Sequence, residues 1–177
     1  MSAAAAASGG LPGGEPGVPV VLALGANLGH RAATLRAAVD ALAATDGIAV
    51  RAVSTIVETA PVGEVLDQPD FLNAVVLADT VLGPHELLAA CHAVEARLGL
   101  DRATKTAGGP RVVDVDLVTH GDLVLDGSEA GDGLVLPHPR AHERAFVLGP
   151  WAELDPDAVL PGPHGGRVAD LLARIPS

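Results

Sequence analysis

The sequence is poor in aromatic residues, although it is rich in aliphatic ones. Aromatic residues make up 2% of the 177 residues, and tyrosine is absent. Proteins that bind single-stranded nucleic acid usually stack bases on aromatic side chains, so this scarcity argues against that class. Hydrophobic residues still make up 49% of the chain, which excludes a disordered protein. The core must therefore be built mainly from Ala, Val and Leu.

Basic charge is also scarce. The chain has 11 Lys and Arg against 22 Asp and Glu, a formal net charge of -11. Nucleic acids and anionic membranes would repel such a chain as a whole, so we expect neither as a partner. An anionic small molecule would have to be met by a local cluster of basic side chains.

The sequence has a single cysteine and lacks long apolar runs. The single cysteine, Cys91, excludes an internal disulfide and fits a reducing compartment. No stretch reaches the roughly 18 uninterrupted apolar residues of a membrane span. The N-terminal segment lacks the basic and Leu-rich regions of a signal peptide. We therefore expect a soluble, cytoplasmic protein.

The pattern of apolar residues predicts the fold. Residues 1–17 are Ala, Gly, Ser and Pro without periodicity, which predicts a disordered leader, and residues 18–177 form one domain. The predicted strands are 18–24, 48–57, 71–80 and 112–118, and the predicted helices are 31–44, 83–98, 140–154 (broken near Gly149 and Pro150) and 168–175. We expect residues 123–125 to form a hairpin with the strand at 112–118. The order β-α-β-β-α-β predicts an α+β, ferredoxin-like sandwich with an added hairpin and C-terminal helices.

Two carboxylates are the sharpest local feature. Asp114 and Asp116 alternate with apolar residues on a predicted strand, so their side chains share one face. Adjacent carboxylates repel each other unless a cation lies between them, and Mg²⁺ with nucleotide phosphates is the natural candidate. An exposed polar strand face in an acidic protein is the alternative.

Basic residues cluster in two places. His138 and His142 are four residues apart, but Pro139 between them argues against a helical zinc pair. His138 and Arg144 are better suited to hydrogen bonding with phosphate oxygens, and a plain polar surface is the alternative. The loop 99–111 carries further Arg and Lys residues among glycines, which favours either a lid over polyphosphate or a plain solvated loop.

A ring and an amide share another predicted strand face. Phe71 and Asn73 offer stacking and edge recognition, as a flat heterocycle requires. The alternative is a core Phe beside a turn-capping Asn. The segment 25–29 lacks the spacing of a phosphate-binding loop and is interpreted as a turn.

These segments occur in a specific order between about residues 20 and 156. They are Gly25-Ala26-Asn27-Leu28-Gly29, Thr59-Ala60-Pro61-Val62-Gly63, Asp67-Gln68-Pro69-Asp70-Phe71-Leu72-Asn73, Glu95-Ala96-Arg97-Leu98-Gly99, Gly109-Pro110-Arg111-Val112-Val113-Asp114-Val115-Asp116-Leu117, and Leu136-Pro137-His138-Pro139 through Arg144-Ala145-Phe146-Val147-Leu148. The ordered set resembles the 6-hydroxymethyl-7,8-dihydropterin pyrophosphokinase family of folate biosynthesis.

The resemblance implies a Mg²⁺-dependent transfer of pyrophosphate from ATP to the pterin hydroxymethyl group, with release of AMP. Asp114 and Asp116 would bind two Mg²⁺ ions. The catalytic set that it implies is Arg102, Arg111, Asp114, Asp116, His138 and Arg144. The implied ATP contacts are His92, Glu95, Arg102, Arg111, Leu117, His138 and Arg144. The implied pterin contacts are Thr59, Val62, Phe71, Asn73 and Phe146. We expect a monomer or weak homo-oligomer.

The chain departs from the family pattern in one loop. An Arg is usual where Leu100 stands, a Trp is usual where Gly108 stands, and the loop is about one residue longer. Two alternatives therefore remain open: a paralogue acting on another heterocyclic alcohol, and a catalytically weak regulator that binds ATP or a pterin.

Overall fold

We describe the protein from a computed structural model. It covers Leu11 and Val65, the ranges 14–62, 67–100 and 109–177, and Ala103. Within these residues, no helix is both long and apolar enough to cross a membrane.

Nine strands are present among the described residues. They are β1 (Val18–Ala26), β2 (Ile48–Val53), β3 (Val57–Thr59), β4 (Phe71–Thr80), β5 (Asp114–His120), β6 (Leu125–Asp126), β7 (Val135–Leu136), β8 (Val159–Leu160) and β9 (Gly166–Arg167). The main sheet has the order β2-β4-β1-β5, and β3 also pairs with β4. The β1–β4, β1–β5, β2–β4 and β3–β4 pairs are all antiparallel. Two further two-stranded sheets pair β6 with β7 and β8 with β9.

In the described part of the chain, four α-helices accompany the sheet: α1 (Arg31–Ala43), α2 (Pro84–Arg97), α3 (Ala145–Leu154) and α4 (Val168–Ala173). Because alternate residues of a strand point to opposite faces, the sheet has two apolar faces. One face, which includes Leu22 and Leu24, forms a core with α1 and α2. The other face, which includes Val21 and Val75, forms a second core with α3 and α4. This arrangement confirms the ferredoxin-like α+β fold with its C-terminal helices.

Several predicted boundaries were wrong. The first strand continues through Gly25 to Ala26, so Gly25 is a strand residue and not part of a turn. The predicted strand at 48–57 ends at Val53, and a separate short strand, β3, begins at Val57. The edge strand begins at Asp114, two residues later than predicted.

The C-terminal part differs more. The predicted pairing of residues 123–125 with β5 was wrong, because Leu125 and Asp126 pair with Val135 and Leu136 in a separate hairpin. The predicted helix at 140–154 starts as a 3₁₀ turn at Ala141–Glu143, and α3 then runs unbroken through Pro150. The segment 155–166 contains β8 and the first residue of β9.

The apolar core predicts a large, local loss of stability on truncation. Leu42 in α1 is fully buried against the sheet, whereas Asp40 on the same helix is exposed. We expect Leu42→Ala to lower the free energy of unfolding by about 2–5 kcal/mol, because it removes buried methyl groups and leaves a cavity. Asp40→Ala is the matched control and should change it by less than about 0.5 kcal/mol. Urea denaturation measures both, and equal effects of the two changes would contradict this packing.

Candidate active site

The site lies on the sheet face that carries α3, at the end of the sheet beyond that helix. In β1 this face is formed by small residues, Ala23 and Gly25. Gly25 pairs with Asn73 of β4 on one side and with Asp114 of β5 on the other. Ala23 likewise pairs with Asp116. Directly paired residues point to the same face, so the amide and both carboxylates project together above a floor of small residues.

Gly25 has a specific role in this floor. A Cβ atom at this position would lie 3.3 Å from the Oδ1 atom of Asn73 and 3.9 Å from the ring of Phe71. The missing side chain therefore leaves the amide accessible from above. Asn73 is 5% exposed, and its Nδ2 atom donates to the Oγ1 atom of Thr59 at 2.8 Å.

Each carboxylate has its own arginine, and each arginine lies near an aromatic ring. The Nη1 atom of Arg111 lies 2.7 Å from the Oδ2 atom of Asp114, and its guanidinium carbon lies 5.8 Å from the centre of the Phe71 ring. The Nη1 atom of Arg144 lies 3.4 Å from the Oδ2 atom of Asp116. Its guanidinium carbon lies 5.6 Å from the centre of the Phe146 ring. The opposite charges offset the mutual repulsion of the two carboxylates.

His138 completes the group around Asp116. Its Nε2 atom lies 4.0 Å from the Oδ2 atom of Asp116, and its Nδ1 atom accepts a hydrogen bond from the backbone N–H of Arg140 at 3.2 Å. Burial, followed by the nearby charge of Arg144, lowers the pKa of His138 to about 4. The imidazole is therefore neutral at pH 7, and because Nδ1 accepts, Nε2 carries the proton. It faces the site as a hydrogen-bond donor.

Two cavities meet at these residues. The first, of about 270 Å³, lies between α2, β5 and the segment 132–139. The second, of about 350 Å³, lies above the floor of β1. The predicted ATP contacts that line the first are His92, Glu95, Leu117 and His138. The predicted pterin contacts that line the second are Thr59, Val62, Phe71, Asn73 and Phe146, and Arg111, Asp114 and Arg144 line it as well. Asp116 lines both cavities.

Glu95, a predicted ATP contact, is almost fully buried and accepts a hydrogen bond within the protein. It is 1% exposed, and its Oε1 atom accepts from the backbone N–H of Val115 at 2.8 Å. This bond ties α2 to the strand that carries the carboxylates.

Burial, and then the charges of Glu95 and Asp116, raise the pKa of the Cys91 thiol to about 12, so the thiol is inert near neutral pH.

The structure describes Leu100 of the 99–111 loop but not Arg102. Arg102, with Lys105 and Gly108, lies outside the described residues. Leu100 is 9% exposed and packs in the core with α1 and α2. The position where the family pattern has an arginine is therefore an apolar anchor in this chain.

Asn27, interpreted from the sequence only as part of a turn, has a structural role that was not predicted. Asn27 is 2% exposed, and its Oδ1 atom accepts from the backbone N–H of Arg111 at 2.9 Å. Its Nδ2 atom donates to the Oε1 atom of Gln68 and to the carbonyl oxygen of Pro69, each at 2.9 Å. This one amide joins the segment that carries Arg111 to the segment that leads to Phe71. A polar residue directly after an apolar strand was the only signal.

Arg140, also missed, lines the second cavity. Its Nε atom lies 3.1 Å from the Oε2 atom of Glu143. The run of basic residues between 138 and 144 was the available signal, but only His138 and Arg144 were predicted from it.

The donor set fits a hard cation that completes its shell with other oxygens. Asp114 and Asp116 provide carboxylate oxygens on one face, and hard divalent cations prefer such ligands. In the described part of the chain, no group of three or more His, Cys, Asp or Glu side chains could hold a metal by itself. The remaining ligands would have to come from phosphate and water.

Two adjoining cavities that share Asp116 suit a transferase that moves a phosphoryl-type group between two bound molecules. A model of the family described as 7,8-dihydro-6-hydroxymethylpterin-pyrophosphokinase (HPPK) matches residues 21–156. The chain belongs to this family, and it is an ATP-dependent diphosphotransferase of folate biosynthesis.

Similar proteins agree with this family. A 2-amino-4-hydroxy-6-hydroxymethyldihydropteridine pyrophosphokinase of Methylorubrum extorquens is 48% identical over 155 residues, covering 87% of this chain and 91% of that protein. A pyrophosphokinase of the same name from Mycobacterium leprae is 44% identical over 165 residues, covering 88% and 82%. The mitochondrial folate synthesis bifunctional protein of Arabidopsis thaliana is 43% identical over 140 residues, which cover 79% of this chain and 24% of that longer protein.

A solved structure supports the fold. The crystal structure of an HPPK-DHPS protein in complex with substrates matches with a TM-score of 0.65, covering 90% of this chain and 43% of that one. Its sequence identity to this chain is 13%, so the likeness concerns the fold alone.

The environment of His138 predicts an unusual titration. In the metal-free protein we expect its imidazole to titrate with a midpoint near pH 4 and to carry its proton on Nε2 above that pH. The folded protein then binds fewer protons than the unfolded chain between pH 6.5 and about 4, so this residue lowers stability as the pH falls through that range. NMR titration of the ring nitrogens measures the midpoint. Arg144→Gln should raise it, and a midpoint at or above 6.5 would contradict the geometry.

Proposed function

We propose that this protein transfers the pyrophosphoryl group of ATP to the hydroxymethyl group of 6-hydroxymethyl-7,8-dihydropterin and releases AMP. The observation that carries the proposal is that Asp116 lines both cavities, with Arg144 and His138 beside it. A group held in one cavity can pass this carboxylate to reach an acceptor in the other. The family supplies the identities of the two substrates.

ATP occupies the first cavity in this proposal. His92 and Glu95 of α2 form one wall, and Leu117 lies on β5. The triphosphate would extend toward Asp116, where Arg144 and the Nε2–H of His138 can donate to its oxygens. Arg111 and, by the family resemblance, Arg102 would neutralise the remaining charge.

The pterin occupies the second cavity. Phe71 and Phe146 provide the apolar ring surfaces, and Asn73 reads the polar edge of the heterocycle through the atoms left accessible by Gly25. Thr59 holds the Asn73 amide and so selects its orientation. Backbone groups near Val62 would complete the recognition at the rim, since this side chain is 62% exposed.

Asp114 and Asp116 would hold two Mg²⁺ ions. The donor chemistry favours this assignment, because both are carboxylates with partly accessible side chains, 13% and 29% exposed. Bound there, Mg²⁺ would neutralise phosphate charge and align the nucleotide. The arginines that now pair with the carboxylates would then be available to phosphate oxygens.

The chain's own residues perform the rest of the reaction by positioning. The pterin hydroxyl oxygen releases its proton to solvent and forms a bond to the β-phosphorus of ATP, the bond from that phosphorus to the α–β bridging oxygen breaks, and AMP leaves with that oxygen. Such transfers need alignment and charge neutralisation more than a strong base. Arg144 and the neutral His138 supply hydrogen-bond donors where both cavities meet.

We also propose that one chain is the functional unit. Both cavities are formed by elements of one fold, and the monomer or weak homo-oligomer expected from the sequence stays a prediction. A single domain over residues 18–177 accommodates both cavities. The leader, residues 1–17, lies partly outside the described residues, and no role in the reaction is assigned to it.

The alternatives are not favoured. The most similar relatives named above are pyrophosphokinases of the same hydroxymethyl pterin, which argues against another heterocyclic alcohol. The weak-regulator alternative rested on the differences between the 99–111 loop and the family pattern. The structure explains one of these differences, because Leu100 packs in the core with α1 and α2.

Turnover should depend on the metal ion and on both substrates. We expect AMP release that requires ATP, Mg²⁺ and the pterin together. Asp116→Asn should reduce turnover at saturating substrates by roughly a hundredfold or more, because it removes charge from the meeting point of the cavities. Asp122→Asn, on the exposed end of the turn after β5, is the matched control and should retain activity. Chromatographic detection of AMP measures both variants, and retained activity in Asp116→Asn would refute the metal assignment.

The second prediction concerns pterin recognition. Asn73→Ala should raise the KM for the pterin at least about tenfold and leave the KM for ATP within about twofold, since only the second cavity loses a polar contact. Gly25→Ala, which keeps Asn73 but places a Cβ atom over it, should act in the same direction. Steady-state kinetics with each substrate varied in turn separates the two constants. Equal losses for both substrates would count against edge recognition by Asn73.

A further inference from the structure

The loop between β6 and β7 forms the outer wall of the first cavity. Asp132, Gly133 and Leu134 at its end line that cavity, and so does Val135, the first residue of β7. Its backbone has left-handed φ angles at Gly127, Ala130, Gly131 and Gly133. Because glycine is conformationally permissive, such a loop needs contacts elsewhere to hold one conformation.

Asp132 supplies those contacts through both of its carboxylate oxygens. Its Oδ2 atom lies 2.6 Å from the Nδ1 atom of His85, and its Oδ1 atom accepts from the backbone N–H of Leu134 at 3.1 Å. Leu134 is 8% exposed and packs into the core with α1 and α2. The end of the loop is therefore held to the first turn of α2 on one side and to the core on the other.

The protonation state of this pair follows from its contacts. The hydrogen bond from His85 lowers the pKa of Asp132, so Asp132 is ionised at neutral pH and the Nδ1 atom of His85 carries the proton. The Nε2 atom of His85 is buried and has no hydrogen-bond partner among the described residues. Within that part of the chain, the contact with Asp132 is the polar interaction that orients this ring.

The position of His85 on α2 connects it to the cavity. His85, Leu88, His92 and Glu95 recur at intervals of three and four residues, so they share one face of the helix. The last three of them line the inner wall of the cavity. One helix face therefore provides the inner wall and, through His85, holds the outer wall in place.

We propose that His85 and Asp132 are a positioning pair that sets the separation of the two walls of the nucleotide cavity and thereby tunes the affinity for ATP. The inference rests on the proposed function of that cavity. His85 lines neither cavity, and Asp132 does not line the pterin cavity. The effect of the pair should therefore fall on the KM for ATP and leave kcat and the KM for the pterin unchanged.

A double-mutant cycle tests the pair. His85→Phe keeps a ring but removes the donor, and Asp132→Ala removes the acceptor. Each should raise the KM for ATP about tenfold, the size expected for one charge-assisted hydrogen bond. The double variant should be no worse than Asp132→Ala alone, since the two changes remove the same contact. Glu129→Ala removes an exposed carboxylate from the same loop outside the cavity lining and should leave the KM for ATP within about twofold.

Hydrogen exchange of the amides in residues 127–135 gives a second readout. Faster exchange in His85→Phe, together with the raised KM for ATP and an unchanged melting temperature, would support the positioning role. Faster exchange without a change in the KM for ATP would overturn it, as would additive effects or equal rises in both KM values. The unaltered enzyme is assayed first for pterin-dependent AMP release, because failure there refutes the proposed function and not the pairing of His85 with Asp132.

Discussion

The site depends on the repulsion between two neighbouring carboxylates. Asp114 and Asp116 lie on one face of an edge strand, beside residues too small to screen them. Cations that stand close by stabilise two such charges. In this structure Arg111 and Arg144 meet that need, and each also lies near an aromatic ring of the second cavity. The two carboxylates of β5 thus lie beside two arginines and two aromatic rings of the second cavity.

The division of the sheet into two faces separates stability from chemistry. The face against α1 and α2 is a continuous apolar core. The opposite face is covered by α3 and α4 over only part of its length, which leaves Ala23 and Gly25 as the floor of a cavity. Glu95 joins the two functions, because it is buried in α2 and yet holds the backbone between the two carboxylates. Rigid support therefore reaches the reactive strand from the helical side.

Much of this arrangement follows from sequence periodicity. The alternation around Asp114 and Asp116 predicted their shared face, and the same argument brought Phe71 and Asn73 together. The order of strands and helices predicted the fold. These inferences succeed because they depend on local period and chain order, and the resemblance to the family then supplied the chemistry.

Other features depend on contacts between distant segments, which a single sequence does not show. Asn27 joins segments about 40 and 84 residues away, and nothing local distinguishes it from a turn residue. The register shift between β1 and β5 near Val118 is likewise not evident from the sequence. The pairing of residues 123–125 was predicted wrongly, because β7, the strand that pairs with β6, lies beyond a glycine-rich loop.

The sharing of Asp116 by both cavities has a kinetic consequence. On the proposed assignment, donor and acceptor are separated by one side chain, so the pyrophosphoryl group can move directly between them. No nucleophilic residue would have to carry it in a covalent intermediate, so the proposed mechanism is sequential rather than ping-pong. Catalysis would then take place in the ternary complex, and ATP bound without the pterin would stay intact.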